Sequence, residues 1–357
     1  MSSIRPGRFL LGESSMESYL IRRGAGIEGL QRQSRAREQL GPNDVRVAMR
    51  AVALNRRDLD IARAQYMGSG GEPFIPCSDG AGEVVGVGAA VTRFRVGDRV
   101  AASFYPSWID GDPTQESASR GLGGGRDGVL AEEVVLHETA WFAIPEHLSY
   151  VEAATIPCAG VTAWNALFVA GRLVPGDTVL VLGTGGVAIW ALQLARAAGL
   201  NVLVTSGEDR KLERARELGA HATINYRAQP EWHTRVLQLT QGRGVDLVLE
   251  VGGRDTLKRS LAAARIGGTI AIIGGVGGGF GGELEPFALI ARAQRLSGIL
   301  VGSRTMAESL SRFVATAGLH PVVDRVFEFA QAQEAYAYLD TAQHVGKVVI
   351  EIAAATQ

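Results

Sequence analysis

Six consecutive residues, Gly183-Thr184-Gly185-Gly186-Val187-Ala188, carry the most specific chemical signal in the sequence. Gly183, Gly185 and Ala188 satisfy the pattern G-x-G-x-x-G/A. The first glycine allows a tight turn, the second lets a pyrophosphate approach the backbone, and the helix that follows turns its positive end toward the anion. The setting matters as much as the pattern. An apolar run at 178–182 precedes it as a strand, a helical pattern at 187–198 follows, and the next strand, 201–205, comes within about 30 residues. A glycine-rich turn without a ligand is the competing reading. The context favours a dinucleotide held by Gly183, Gly185, Gly186 and Val187.

The end of the second strand bears on which dinucleotide. It reads Val204-Thr205-Ser206-Gly207, with no acid in the terminal position to hold a free ribose 2′-hydroxyl. Ser206, Arg210 and Lys211, with Tyr226 after the third strand, supply the cations and hydroxyls that a 2′-phosphate needs. NADP(H) is therefore expected in preference to NAD(H). Two readings oppose this: Glu208 or Asp209 turns to the ribose, or both merely open the next helix while Lys211 is a solvated charge. The glycine cluster 274–282 follows the fifth strand. Gly274 and Gly275 are expected near the nicotinamide end, the later glycines fitting a surface loop equally well.

These residues need a frame. From about 158 to 303, strands at 178–182, 201–205, 222–225, 245–250, 269–273 and 298–301 alternate with helices such as 187–198 and 210–218. The strands are near-continuous apolar runs, as in parallel strands covered on both faces. The fold class expected is α/β, a doubly wound Rossmann sheet. From about 40 to 145 the pattern changes to short strands and turns, at 45–54, 82–88, 96–102 and 130–136, which reads as a β-rich domain. The stretch 304–357 carries a helix, a strand at 326–329, a second helix and a strand at 346–352, and is expected to return to the first domain. The division is thus 1–157 with 304–357, and 158–303. No internal repeat and no disordered linker stands out.

Composition closes off other classes. The 357 residues are 46% hydrophobic and 20% charged, with a formal net charge of -1. Nothing electrostatic favours nucleic acid or an anionic membrane. No apolar run approaches the roughly 20 residues that span a bilayer, and the N-terminus lacks a signal-like apolar region, so a cytoplasmic location is expected. Two cysteines, Cys77 and Cys158, cannot build a disulfide framework. Glycine is the one excess, at 46 residues, clustered at 68–71, 80–88, 121–128, 183–186 and 274–282.

This order of features resembles the medium-chain dehydrogenase/reductase superfamily over almost the whole chain after residue 40. The matching stretches are ALNRRDL at 53–59, IPCSDGAGEVVGVGAAV at 75–91, VGDRV at 96–100, AATIPCAGVTAW at 153–164, VLVLGTGGV at 179–187, Ile224-Asn225-Tyr226 and Gly346-Lys347-Val348-Val349. The resemblance implies a GroES-like first domain that, with the returning C-terminal segment, carries the substrate. Ser78-Asp79-Gly80 and the loop through Trp108, Gly123-Gly124 and Asp127-Gly128-Val129 look like the subgroup named zinc-type alcohol dehydrogenase-like. Zinc alcohol dehydrogenases hold a catalytic metal with Cys, His and Cys. By resemblance Asn55 stands at the first ligand position, Ser78 at the second with Asp79 after it, and only Cys158 matches the third. Asn and Ser are poor zinc ligands, and no cysteine lies between about 90 and 120 for a structural zinc. No zinc is expected, and Cys158 reads as a small buried residue rather than a nucleophile.

Leu54-Asn55-x-x-Asp58 resembles the quinone oxidoreductase branch. That resemblance puts Asn55 near the nicotinamide ribose, Thr162 against the ring, and Lys211 and Tyr226 on a 2′-phosphate. Lys347 either reaches the cofactor or is an ordinary surface lysine. It also implies a homodimer pairing along 298–302, an apolar edge that would otherwise invite aggregation. Tyr66, Phe104, Tyr105 and Trp108 fall on loops expected to face the cleft, so a small apolar or aromatic substrate is expected, and the long loop 106–128 suggests a lid or mobile segment. Asn55, Ser78, Tyr66 and Tyr105 are the candidate catalytic hydrogen-bonding groups. Asp58 is a candidate base for alcohol oxidation, with a structural role as the alternative. Three functions compete: an NADPH-dependent reductase of quinones or activated alkenes and carbonyls, a metal-free NAD(P)-dependent alcohol dehydrogenase, and a non-catalytic dinucleotide-binding protein of the crystallin-like or sensor kind.

Overall fold

The computed structural model describes residues 15–66, 71–276, 279 and 286–353. The clustered glycines Gly68–Gly70 and most of 277–285 lie outside them, as does the N-terminal segment 1–14. A hairpin of β1 (Ser15–Leu20) and β2 (Gln31–Ala36) leads into β3 (Asp44–Ala53), β4 (Asp79–Val87), β5 (Arg99–Ala102), β6 (Glu133–His137) and β7 (Trp141–Ala143). Along β3 the side chains at Val45, Val47 and Met49 are buried and those between them are half exposed, the period of two that a strand imposes.

The second sheet contains β8 (Thr178–Leu182), β9 (Asn201–Ser206), β10 (Ala222–Asn225), β11 (Val245–Glu250), β12 (Ala264–Ile272) and β13 (Arg295–Gly298), all parallel. Their order is β10-β9-β8-β11-β12-β13, the doubly wound arrangement whose order reverses between β8 and β11. All six residues of β11 are buried, as expected of a strand covered by helices on both faces. The chain then returns through β14 (Val323–Glu328) and β15 (Lys347–Glu351). These join the first-domain strands in a seven-stranded sheet of order β14-β15-β3-β4-β5-β7, with β6 on β3. The helix Arg304–Ala317 buries Leu310 and Val314 in one core with Val179 of the parallel sheet, Trp190 of the helix Gly186–Ala197 and Phe142 of the other sheet. No helix among the described residues is long and apolar enough to cross a membrane.

Several boundaries differ from the sequence reading. The edge strand is β13 at Arg295–Gly298, not 298–301. The ladder closes with Ile299 N–H on Ile272 O, and the chain beyond it turns away, Val301 adopting φ 44°. Ile299 and Val301 instead pack on the neighbouring core. The apolarity of Ile299 and Val301 reports packing rather than strand pairing, and Leu300 between them is exposed. β5 begins at Arg99, not 96, because Gly97 at φ 93° and a bond from Asp98 N–H to Arg95 O form a turn first. The loop 106–128 is not an open lid along its length. A β-carbon at Gly123 would lie 2.6 Å from the Cys77 backbone nitrogen, and one at Gly121 would lie 2.8 Å from the Phe104 ring. These glycines let the loop close on Cys77, itself strained at φ 68°.

Candidate active site

The cofactor cradle starts where β8 ends. Gly183 takes φ 79° and donates its N–H to Thr205 O at 2.8 Å. Space beside the α-carbons of Gly183 and Gly185 is open to 4 Å. The helix Gly186–Ala197 begins at once, and Gly185 at its N-cap supplies no side-chain cap. The first-turn N–H groups, near Val187, are thus left for an anion. Gly186 has a different reason to be glycine: a β-carbon there would strike Lys347 Cδ at 2.6 Å. The last segment is stitched to this loop by Gly346 N–H on Thr184 O at 3.0 Å. Thr162 is buried in the short helix Val161–Trp164.

Gly274 and Gly275 follow β12 and lie against Val251 and Gly279. Glu250, at the end of β11, anchors the neighbouring turn. Its carboxylate accepts the amides of Gly252 and Gly253 at 2.6 and 3.0 Å, the Thr256 hydroxyl at 2.6 Å, and the Ser260 hydroxyl. Sequence reading missed Glu250, because an acid inside an apolar strand has no motif of its own.

At the ribose end, Ser206 closes β9 and is buried, with its Oγ accepting the Glu208 amide at 3.4 Å. A β-carbon at Gly207 would come within 2.8 Å of both the Tyr226 hydroxyl and Arg227 Nε, so these two groups converge over the glycine. Arg227 is a cation that sequence reading did not single out. Lys211 is not the solvated surface charge considered above: it is buried, with its ammonium on Ala342 O at 2.5 Å and Glu208 at 3.3 Å. Arg210 bonds Gln343 O at 3.0 Å. Both cations therefore grip the loop before β15. Asp209 accepts Asn225 Nδ2 at 2.7 Å. Glu208, Arg210, Arg325, Tyr338, Thr341 and Gln343 line a cavity of about 650 Å³ beside this point.

The deepest polar cluster lies around Asn55, the N-cap of the helix Arg56–Ala62. Its amide donates to Asp58 Oδ2 at 2.7 Å, so Asp58 performs the capping and the Asn55 side chain is left for other work. The Lys347 ammonium donates to Asn55 Oδ1 at 2.6 Å and also to Leu54 O. Lys347 is only 3% exposed, so the surface-lysine reading is wrong: its stem crosses Gly186 and its head is drawn inward by two oxygens. Asn55 Nδ2 makes no close hydrogen bond among the described residues but faces the Asp79 carboxylate, which the carboxamide helps to hold down. Ser78 and Asp79 are fully buried. The Ser78 hydroxyl donates to Asp79 Oδ1 at 2.6 Å, and the Cys158 amide donates to Asp79 Oδ2 at 3.1 Å. Burial raises the Asp79 carboxyl, against the pull of the Lys347 charge and the Ser78 hydroxyl. Burial also carries Asp58 to about 6, with Arg57 and the Asn55 amide opposing it. Burial pushes the Cys158 thiol up, keeping it protonated and unreactive.

This donor set does not suit zinc. An ammonium already holds Asn55 Oδ1, and the Ser78 hydroxyl is turned to Asp79. Zinc prefers thiolate, imidazole or carboxylate. Among the described residues no group of three His, Cys, Asp or Glu side chains is arranged to hold a metal.

The aromatic residues fall together. Phe104, Tyr105 and Trp108 form one buried cluster, with ring centroids 4.6 and 6.1 Å apart, packed against Cys158 and Val301. Tyr66 is half-buried and joins through Arg57, whose guanidinium carbon lies 5.3 Å from the Tyr66 ring and 4.7 Å from the Phe104 ring. Burial pushes the Tyr105 hydroxyl up, which makes it a reluctant acid.

A glycine turn at the reversal of a parallel sheet, joined through Lys347 to a buried polar cluster of the other domain, is the arrangement of a two-domain dehydrogenase. Comparison with known proteins agrees. Residues 41–146 match the alcohol dehydrogenase GroES-like domain, and residues 186–316 match the zinc-binding dehydrogenase family. The chain is 43% identical over 320 residues to a zinc-type alcohol dehydrogenase-like protein of Schizosaccharomyces pombe, covering 88% of this chain and 92% of that one. It is 30% identical over 320 residues to a quinone oxidoreductase of Pseudomonas aeruginosa, covering 87% and 91%. A crystal structure of an NAD-dependent alcohol dehydrogenase superimposes with a TM-score of 0.86 at 33% identity, covering 95% of this chain and all of that one. The chain belongs to the medium-chain dehydrogenase/reductase superfamily.

Proposed function

We propose that this protein reduces quinones and conjugated enones with a hydride from NADPH, and that it does so without a metal ion. The observation that carries this reading is the engagement of Asn55 Oδ1 by the Lys347 ammonium, at the position where metal-using members of the superfamily present a ligand. Gly183, Gly185, Gly186 and Val187 would hold the pyrophosphate. Ser206, Tyr226 and Arg227, with Arg210 and Lys211 behind them, would surround the 2′-phosphate. Thr162, Gly274 and Gly275 would border the nicotinamide. When bound, the reduced cofactor supplies the hydride, and the remaining work falls to the chain.

Asn55 Nδ2 makes no close hydrogen bond and, among the described residues, faces only the Asp79 carboxylate, and its carboxamide is held by Lys347, so it would turn to an acceptor oxygen with modest reorganisation. Addition of hydride at the β-carbon of an enone shifts the double-bond pair to oxygen, and a proton from solvent or Tyr66 completes the two-electron reduction. A quinone spreads the same charge over its ring. Such charge needs less electrophilic help than the alkoxide formed from an isolated carbonyl, which metal enzymes stabilise with zinc. Phe104, Tyr105 and Trp108, tilted 61° and 53° to one another and buried, would back an apolar site beside Cys158 for a conjugated ring.

A second reading, a metal-free alcohol dehydrogenase, is favoured by Asp58. A buried carboxyl near 6 is suited to act as a base around neutral pH. The reading includes a homodimer, with a second copy pairing along β13, the strand at the sheet edge. The test is NADPH oxidation by a simple benzoquinone in chelator-treated buffer. Sustained turnover supports the proposal. Turnover restored only by zinc overturns it, and tight NADPH binding with no turnover for any acceptor identifies a non-catalytic binder.

A further inference from the structure

Arg57 lies in the helix Arg56–Ala62, next to Asp58, and its side chain is about nine-tenths buried. Its bonding is incomplete. One terminal nitrogen donates to Leu122 O at 2.9 Å and the guanidinium also engages the Tyr66 hydroxyl, while Nε is buried with no partner among the described residues. Its ion pair with Asp58 is long, at 3.8 Å. Its faces are covered by the Phe104 and Tyr66 rings, and Cys158 is close enough to act on its charge. Asp58, Tyr66 and Cys158 hold the guanidinium charged against its burial, and the unpartnered Nε leaves one buried donor with nothing to meet. The guanidinium also has room only because residue 124 is glycine: a β-carbon there would lie 2.7 Å from Arg57 Nη2.

We propose that Arg57 is the oxyanion receptor of the cleft, binding the oxygen on which negative charge gathers when a conjugated acceptor takes up hydride. The proposal rests on the reductase reading and names its specificity: planar acceptors whose oxygen becomes a phenolate or enolate. A guanidinium offers such an oxygen charge-assisted hydrogen bonds that a neutral donor cannot match.

The test uses the full-length protein and a ligand that needs no turnover. Binding of p-nitrophenolate, which mimics the reduced acceptor, is compared with its neutral methyl ether, p-nitroanisole, at a pH where the phenol is ionised. Wild type is expected to prefer the phenolate at least tenfold. Arg57→Ala is expected to lose that preference and to lose at least tenfold in kcat/KM for quinones, with both partly restored by added guanidinium ion. Gly124→Ala displaces the guanidinium while keeping its charge, and is expected to lower the preference even if Arg57→Ala folds poorly. An unchanged phenolate preference in both variants overturns the proposal, as does a loss of turnover that guanidinium fails to restore. If wild type binds phenolate through Arg57 but turns over no quinone, the site stands and the reductase reading falls.

Discussion

The Lys347 ammonium lies 2.6 Å from the Asn55 carboxamide oxygen, joining residues 292 positions apart in the sequence. Its stem packs over Gly186, where the cofactor helix begins, so one side chain ties the cradle to the cleft floor. Removing it would leave Asn55 Oδ1 and Leu54 O without their donor in a buried place. Lys347→Met is expected to destabilise the fold by about 1–3 kcal/mol and to lower kcat/KM, because Asn55 is no longer held. Denaturant unfolding and steady-state kinetics check both. A variant as stable and as active as wild type contradicts the role given to this contact.

Cofactor choice should rest on the groups over Gly207. A charge-assisted bond to a 2′-phosphate is worth roughly 1.5–3 kcal/mol. Arg227→Ala is therefore expected to weaken NADPH about tenfold or more while leaving NADH nearly unchanged. Calorimetric titration of both cofactors decides the matter. Equal affinities in wild type would return Glu208 to the ribose and reverse the assignment.

The loop before β15 should make the fold acid-sensitive. Burial and the neighbouring Lys347 hold His344 down at about 4, and its Nδ1 has no partner among the described residues. Between that value and the ordinary histidine range the unfolded chain binds a proton that the folded protein refuses. The histidine's contribution to stability therefore rises with pH through this window and is lost as pH falls through it. Asp58, raised to about 6, contributes the opposite slope in part of this range, so the stability advantage of His344→Gln over wild type should shrink as pH rises from about 4 to 6.5. Thermal unfolding across that range is the measurement, and an unchanged slope would contradict it.

The donor set at Asn55, Ser78 and Cys158 predicts protein without stoichiometric zinc. Elemental analysis after dialysis should find far less than one zinc per chain. About one per chain would force Asp58 or Asp79 into coordination.

Much of the frame was legible because its signals are local. The glycines at 183 and 185 and the apolar runs of β8, β10 and β11 announce themselves in a few residues, and those three strands lie at the expected positions. The edge strand was misread because Ile299 and Val301 are apolar for packing reasons and Val301 takes a positive φ that no composition reveals. The site was harder. Lys347 looks like a surface residue until the return of β15 brings it to Asn55. Arg227 and Arg57 gain meaning only from glycines at 207 and 124, neither adjacent to its arginine in the sequence.

The measurement closest to the central claim is a comparison of kcat/KM for a quinone, an α,β-unsaturated ketone, an aliphatic aldehyde and a primary alcohol, under matched NADP(H) conditions in chelator-treated buffer. On the metal-free reading, a site whose oxyanion is met only by the Asn55 carboxamide and the Arg57 guanidinium should favour the quinone and the enone by tenfold or more. A tenfold advantage for the aldehyde or the alcohol would contradict the reductase account and leave an alcohol dehydrogenase in its place.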